Sequence, residues 1–174
     1  IDETVLNVNL IQCMYKPSSL EIEIQTVSDI NTFKDKLIKL SYRNNNGTTE
    51  SDLFKDYFIF NIRKKGEKIT LTAYSLDKFL TIDKFSQAFT GKLLVDEMIK
   101  PTLQTSNSTS FKNFRKILTK SETGDISNII KNKIQNSIIP YAVQYNESFY
   151  DFMVRMCNRD GEFLFFDENQ ELHI

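Results

Sequence analysis

The sequence predicts an α+β protein that is mainly β, with a small antiparallel β-barrel over residues 1–85 and a partial α+β domain over residues 86–174, whose helices pack on a β-hairpin. Three observations predict this class. As far as Leu80, apolar and polar residues alternate with a period of two, which is typical of half-buried strands. After Ser75 the apolar spacing becomes helical. Near the end, an amphipathic helical stripe precedes two short strands around a turn.

Composition allows a packed core and excludes two classes of partner. Of 174 residues, 40% are hydrophobic and 12% aromatic, which is ample apolar material for one or two small domains. The 22 basic and 23 acidic residues give a net charge of −1, so we expect neither nucleic acid nor an anionic membrane surface as a partner. No run approaches the roughly 18 apolar residues of a membrane span. The start lacks the features of a signal peptide, and a chain that ends in a strand predicts that more protein follows.

The first two strands are predicted to form a hairpin. Residues 19–25 alternate without a fault, which places Leu20, Ile22 and Ile24 on one face. Residues 5–11 precede them as the partner strand. The stretch 15–18, which contains a proline, is predicted to supply the turn.

Three further strands are predicted at residues 37–42, 56–63 and 68–74. A loop rich in asparagine at 44–47 follows the first of them. The other two flank a short loop at 64–67 that contains glycine, a pattern typical of a hairpin. Five short strands joined by tight turns indicate a small antiparallel barrel or sandwich.

The middle of the chain is predicted to be helical. Residues 91–99 have apolar side chains at helical spacing, and Pro101 just beyond is expected to end that helix. The stretch 102–110 is rich in Ser, Thr and Asn and predicts an exposed linker. A second helix is predicted at 125–136, with Asp125 as its cap.

The last quarter predicts a strand, a helix and a hairpin. Residues 138–145 form the strand, and Pro140 places it at a sheet edge or at its start, because proline cannot donate to a ladder. Asn146 and Ser148 are alternative N-caps for the helix, whose apolar stripe over 149–157 is more typical of core than of an exposed face. Gly161 is expected to end it.

Two strands at 163–166 and 171–174 then flank a turn.

No catalytic or metal-binding motif is present in the sequence. The single histidine, His173, is predicted to be a strand-surface residue. Cys13 and Cys157 lack metal-ligand spacing and are predicted to be small buried hydrophobes in a reducing compartment. We therefore expect no cofactor, no metal and no enzymatic activity. The acidic residues near the end predict the solvated rim of a hairpin and are Asp160, Glu162, Asp167, Glu168 and Glu171.

One segment carries a pattern that goes beyond secondary structure. It reads Y-A-V-Q-Y-N-E-S-F-Y-D-F over residues 141–152, continues through Arg155 and Arg159, and ends with D-G-E-F-L-F-F at 160–166 and L-H-I at 172–174. This order resembles the V-Q-Y-x-E-S-x-x-D-F, R, E-x-G-x-x-x-x-F and L-H signature of the VgrG spike proteins of type VI secretion and of the related phage tail hub proteins. The signature residues are Tyr141, Val143, Gln144, Tyr145, Glu147, Ser148, Asp151, Phe152, Gly161, Phe166 and His173.

The resemblance implies a structural role. Proteins of this family form a trimeric hub in which each chain gives two similar β-barrels, so that three chains present a near six-fold ring to a hexameric inner tube. The implied partners are two sister subunits, the inner tube protein, baseplate components and effector proteins. The implied location is the bacterial cytoplasm during assembly, followed by secretion or injection into a target cell. The signature residues are then structural and interface residues.

Three alternatives remain open from the sequence. The chain is a phage or phage-like baseplate hub, a cell-wall-cleaving enzyme, or a stand-alone ligand-binding β-domain. Glu162 and Asp167 are the carboxylates that the enzyme would use.

Overall fold

The computed structural model describes residues 3–43, 50–131, 137–167 and 169–174. By compactness, the chain forms two units, Ile1–Leu76 and Asp77–Ile174. This division lies before the limit at residue 85 that the sequence predicts, and the domain limits stay a prediction.

The first unit is a five-stranded antiparallel sheet that curls into a half-barrel. The order across the sheet is β1-β2-β5-β4-β3, with β1 and β3 at the two edges and every neighbouring pair antiparallel. The predicted class, mainly β within α+β, is confirmed. The strands are β1 (Thr4–Cys13), β2 (Lys16–Gln25), β3 (Leu37–Arg43), β4 (Glu50–Lys65) and β5 (Lys68–Tyr74).

The period-two pattern of the sequence produces the core of this sheet. In β2 and β5, alternate residues point to one face, and cross-strand pairs such as Ile22 with Leu71 and Ile24 with Ile69 place apolar side chains side by side. Tyr57 and Ile59 of β4 extend the same buried cluster. The face predicted from residues 19–25 is therefore confirmed as core.

The first hairpin is confirmed, but its predicted turn is wrong in its limits. Cys13 already pairs with Lys16, so Met14 and Tyr15 form the turn, and Tyr15 takes a left-handed φ of 62°. Pro17 lies inside β2, opposite the register shift between Ile11 and Cys13. Proline has no amide hydrogen to donate to the neighbouring strand. It is tolerated there because a bulge leaves one residue out of the hydrogen-bond ladder.

The second hairpin is confirmed. Lys65 pairs with Lys68 across a two-residue turn whose Gly66 has φ 63°. Strand β4 begins well before the predicted residue 56, at Glu50. The predicted loop at 44–47 lies outside the described residues. Cys13, expected to be buried, is exposed, since it lies at the end of the edge strand β1.

The second unit is built on a two-stranded antiparallel sheet, β6 with β8. The predicted strand at 138–145 is confirmed as β8, and its edge position accommodates Pro140. The strands of the second unit are β6 (Lys84–Leu93), β7 (Ile130–Lys131), β8 (Ile138–Ser148), β9 (Phe165–Phe166) and β10 (Leu172–His173). Its helices are α1 (Lys100–Thr105), α2 (Thr109–Thr119) and α3 (Phe149–Arg159), with 3₁₀ turns at Leu76–Thr81 and Ser127–Ile129.

The predicted helix at 91–99 is wrong at both ends. Residues 91–93 belong to β6, and a π-helical turn, Leu94–Ile99, runs directly into α1. The amide of Lys100 donates to the carbonyl of Val95, which widens the turn. Pro101 then lies in the first turn of α1, where a missing amide donor matters little.

The exposed linker predicted at 102–110 is also wrong, because this stretch is mostly helical. Leu103 is fully buried within α1, and Thr105 ends that helix. The Ser108 side chain caps α2 by accepting from the amide of Phe111 at 3.4 Å, and Ser110 is buried. Ser106 and Ser108 are helix caps, and Ser and Thr favour caps as well as loops.

The helix predicted at 125–136 is not formed where the structure describes the chain. Asp125 accepts from the amide of Ser127 at 2.8 Å, as a cap would, but only the 3₁₀ turn follows. Ile130 pairs in parallel with Leu172 of β10, which in turn pairs with Phe166 of β9. Tertiary pairing therefore overrides a helical spacing. Residues 132–136 lie outside the described residues.

Helix α3 and the hairpin after it are confirmed. The helix begins after Ser148, the second of the two predicted caps, and Gly161, with φ 80°, follows its end. Its stripe is core, since every residue of the stripe is buried: Phe149, Phe152, Met153, Met156 and Cys157. The two final strands are shorter than predicted.

Candidate functional site in the strand and helix signature

The signature segment is the junction of β8 and α3, and its buried glutamine joins three parts of the second unit. Gln144 is fully buried on the inner face of β8. Its Nε2 donates to the backbone carbonyl of Glu147 at 3.0 Å, and its Oε1 accepts from Nε2 of Gln87 on β6 at 2.7 Å. A buried amide with both ends paired fixes the position of the strand end relative to the helix start.

The next signature residue, Ser148, caps α3. Its hydroxyl accepts from the amide of Asp151 at 3.1 Å and donates to the Asp151 carboxylate at 2.6 Å. Asp151 lies in the first helical turn, where a negative charge is favoured by the helix dipole. The pair explains the S-x-x-D part of the pattern as a helix N-terminus.

We expect Ser148→Ala to lower the free energy of unfolding by about 1 kcal/mol, the usual effect of removing an N-cap side chain. Ser148→Thr keeps the hydroxyl and is the matched control, with a smaller loss. Urea denaturation of the three proteins measures both values. Equal stability of the alanine and threonine variants would contradict the capping role.

A surface ion pair adds a second link between the strand and the helix. Arg155 of α3 forms a charge-assisted pair with Glu147, and its Nη2 also donates to the backbone carbonyl of Val143 at 2.7 Å. The guanidinium lies 5.4 Å from the centre of the Phe152 ring. Both charged side chains are partly exposed, so the pair positions the helix more than it stabilises the fold.

The two phenylalanines of the signature pack against other aromatic rings, and Phe152 is fully buried whereas Phe166 is half-buried. Phe152 stacks on Phe149 and on Phe89 of β6, with ring centroids 5.9 Å and 5.6 Å apart. Phe166 of β9 meets Phe114 of α2 edge to face at 6.1 Å. These contacts connect β6, α2, α3 and β9, so this half of the signature specifies packing.

Two signature tyrosines are placed differently. Tyr141 and Tyr145 alternate along β8 with the buried Ala142 and Gln144, so they lie on the outer face of the strand, and both are exposed. Tyr145 has 79% of its surface exposed. Exposed tyrosines in a row are typical of a surface that another protein covers.

His173 is not the surface histidine that the sequence predicts. Only 16% of its side chain is exposed, its Nε2 lies 3.0 Å from the Asp167 carboxylate, and its ring stacks on Phe165 at 4.8 Å. Asp167 also accepts from the amides of Asn169 and Glu171 at 2.9 Å and 2.8 Å. The pair therefore closes the turn between β9 and β10.

Burial alone would raise the pKa of Asp167, but the hydrogen bonds from the Glu171 amide, His173 and the Asn169 amide outweigh it, and the net pKa is lowered. A lowered folded pKa stabilises the protein fully above the unfolded value of about 3.9, and this stabilisation is lost as the pH falls through the folded pKa. We expect the wild type to be more stable than Asp167→Asn near neutral pH, with the difference shrinking below about pH 4. Urea titrations at a series of pH values measure it, and a constant difference would contradict the assignment.

The same turn holds the group of side chains best suited to a metal among the described residues. Ligand atoms of Asp167, Glu171 and His173 lie within 4.8 Å of one another. Each is engaged, since Asp167 pairs with His173 and Glu171 pairs with Lys131 at 3.2 Å. Their existing contacts close a turn, and a cation would have to displace the lysine.

Sequence reasoning missed three hydrogen-bonded polar side chains, of which Arg115 and Tyr150 are buried and Gln87 is half-buried. Arg115 donates to three backbone carbonyls, Gln87 holds Gln144, and Tyr150 is hydrogen-bonded to Asp77, with its pKa raised by burial and by that carboxylate. The signal in the sequence that could have indicated them is a polar residue at a position where the helix or strand pattern predicts an apolar one. Burial also raises the pKa of the Cys157 thiol to about 12, so this cysteine is a buried hydrophobe as predicted and not a nucleophile.

None of the helices in the described part of the chain is long and apolar enough to cross a membrane.

No protein-family model and no curated protein matches the sequence. The fold is similar to a solved structure, the E. coli c3393 protein, described as a component of the type VI secretion system with structural similarity to the T4 bacteriophage tail proteins gp27 and gp5. The TM-score is 0.57 at 8% sequence identity, over 99% of this chain and 48% of that one. The chain therefore spans about half the length of that protein, and at this identity the likeness concerns the fold.

Proposed function

We propose that this protein is a structural spike or hub component of a type VI secretion system or a related contractile injection system. The observation that supports it most is the likeness in fold to a type VI secretion component over 99% of the chain. The signature independently resembles the same class, and its residues have a consistent structural purpose. Most of them build the β8–α3 junction, while Tyr141 and Tyr145 remain exposed.

In this proposal three copies form an adapter that caps the hexameric inner tube and helps deliver effectors. A sheet whose strands are tied by backbone ladders transmits force without a chemical step, and close-packed side chains make it stiff. The exposed face of β8 is the surface that a neighbouring subunit covers.

The test uses the full-length protein in its own bacterium. We expect deletion of the gene to stop secretion of the inner tube protein, and the purified product to have the mass of a trimer. Tyr141→Ser combined with Tyr145→Ser should fold normally yet lose assembly, because both side chains are exposed. Normal secretion of the tube protein in the deletion strain would overturn the proposal.

A phage-like baseplate hub is the second candidate, favoured by the description of the similar structure as resembling T4 tail proteins. The two differ in what is lost on deletion. A baseplate hub is required for infectious or lytic tail particles, whereas a secretion hub is required for contact-dependent export.

The absence of catalysis in this region is part of the proposal. A glycosidase needs one carboxyl group with a raised pKa as its general acid, whereas the pKa of Asp167 is lowered by its hydrogen bonds. We expect this region to show no activity against purified cell wall. The Glu162→Gln and Asp167→Asn variants should be as inactive as the wild type. Cell-wall cleavage that either substitution abolishes would favour the enzyme.

A further inference from the structure

The half-barrel of the first unit contains a groove between its two edge strands. The groove has a volume of about 330 Å³, at the low end of the range for pockets that hold a ligand. Val5 of β1 lines one side and Leu37 of β3 the other. The floor is made of Ile22, Ile24, Ile59 and Leu71 from β2, β4 and β5.

The β1 edge lacks the charged residues and the proline that protect most edge strands, whereas the β3 edge carries Lys39. Within the described residues, β1 pairs only with β2 and β3 pairs only with β4. The ten residues of β1 include no charged side chain and no proline. Val5 has 58% of its surface exposed at the groove. Natural edge strands normally carry a lysine, a proline or a cover, and an apolar edge without them tends to pair with another strand.

The direction of the strands defines what fits between the edges. Each neighbouring pair in the order β1-β2-β5-β4-β3 is antiparallel, so β1 and β3 run in the same direction. Five strands cannot close as an all-antiparallel barrel, because β1 and β3 would pair in parallel. One added strand, antiparallel to both edges, completes six.

We propose that this groove binds an extended segment of a partner protein, which pairs with β1 and β3 at once as a sixth strand. This mode of recognition adds main-chain hydrogen bonds for affinity and uses alternate side chains for specificity. Every second side chain of the segment is apolar and rests on the isoleucine and leucine floor. The inference does not depend on the trimer or on the tube.

The rim indicates the charge of the segment. Lys36 and Lys39 line the β3 side of the groove, and Glu3 lies at the β1 side. The cation of Lys36 favours an acidic residue in the segment beside it. A second copy of this chain fits less well, because β1 holds no acidic residue and β3 carries Lys39 itself.

The probe is a synthetic peptide as long as β1, with valine at alternate positions, threonine between them and glutamate at one end. We expect it to bind the full-length protein and to protect the backbone amides of both β1 and β3 from hydrogen exchange. A peptide of the same composition with its alternation scrambled is the control ligand. Binding of both peptides alike would overturn the proposal.

Two variants locate the binding. Val5→Lys and Leu37→Lys each place a cation in the groove and should weaken peptide binding by about tenfold or more. Ile11→Lys is the matched control, since Ile11 is 50% exposed on the same strand but does not line the groove. The three proteins should unfold alike, because all three sites are exposed.

Three results would overturn the proposal: no binding to the wild type, protection of one edge strand only, or equal weakening by Ile11→Lys. Self-association of the wild type that Val5→Lys abolishes would assign the groove to a second copy instead. Loss of trimer or of tube export with normal peptide binding would refute the proposed function and leave this inference standing.

Discussion

Phe152→Ala will lower the free energy of unfolding of this protein by about 3 to 5 kcal/mol, the range for removing a buried phenylalanine. Phe152 is fully buried and stacks on Phe149 and Phe89. The truncation removes apolar surface from the core, leaves a cavity, and breaks the ring contacts between α3 and β6. Urea denaturation followed by circular dichroism measures the loss.

Tyr145→Ala is the matched control, since Tyr145 is an aromatic residue of the same signature with 79% of its surface exposed. Its effect on stability should stay within about 0.5 kcal/mol. Together the two variants separate the packing part of the signature from its surface part. Similar losses for both, or a small loss for Phe152→Ala, would show that the signature has been divided wrongly.

Arg115→Met will destabilise the second unit by about 3 kcal/mol, because it leaves one buried and two partly buried carbonyl groups without their donor. Arg115 has 3% of its surface exposed. Its guanidinium donates at 2.7 Å to each of three backbone carbonyls, those of Leu103, Ser106 and Glu122. The first carbonyl lies in α1, the second between α1 and α2, and the third after α2. One side chain therefore fixes the connection that precedes α2 and the one that follows it.

Lys116→Met is the control for this change. Lys116 follows Arg115 in the same helix, but its ion pair with Glu122 is exposed, and such a pair contributes less than about 1 kcal/mol. Thermal and urea unfolding of the two variants should differ clearly. If Arg115→Met were as stable as Lys116→Met, the three hydrogen bonds would not hold the connections in solution.

The strands of the first unit were predictable because each residue pattern there is local and one-sided. Residues 19–25 and 68–74 alternate, and a glycine turn joins the latter to β4, so secondary structure follows without knowledge of the neighbours. The same holds for α3, where a serine cap, an apolar stripe and a glycine stop agree. The signature also matches the structure in this helix, because Ser148 is its N-cap and Phe152 is one of its buried residues.

The prediction failed where polar residues cap helices or form hydrogen bonds inside the second unit. The stretch 102–110 looked like a linker because Ser, Thr and Asn favour both loops and helix caps. Its helical state depends on Arg115, twelve residues beyond Leu103 in the chain and in contact with it only after folding. Strand β6 was missed although Phe85, Gln87 and Phe89 alternate inward, because a helix was expected to begin at 91.

His173 shows the same limit at the candidate site. A lone histidine in a strand predicts a surface residue, and its partner Asp167 becomes a neighbour only when the turn closes. Tyr141 and Gln144 have opposite roles in one strand, and the side of the strand that β6 and the helices cover decides between them.

By itself, the sequence determined the strands of the half-barrel, the face that they bury, the cap and stripe of α3, and the resemblance to a contractile-system hub, because these depend on residue types at short spacing. Only the tertiary structure decided that β7 is a strand, that Pro101 lies within a helix, that Arg115 and Gln144 are held in the interior, and that β1 and β3 leave a groove between them. The physical reason is that these outcomes depend on hydrogen-bond partners and packing surfaces far away in the chain, which folding brings into contact.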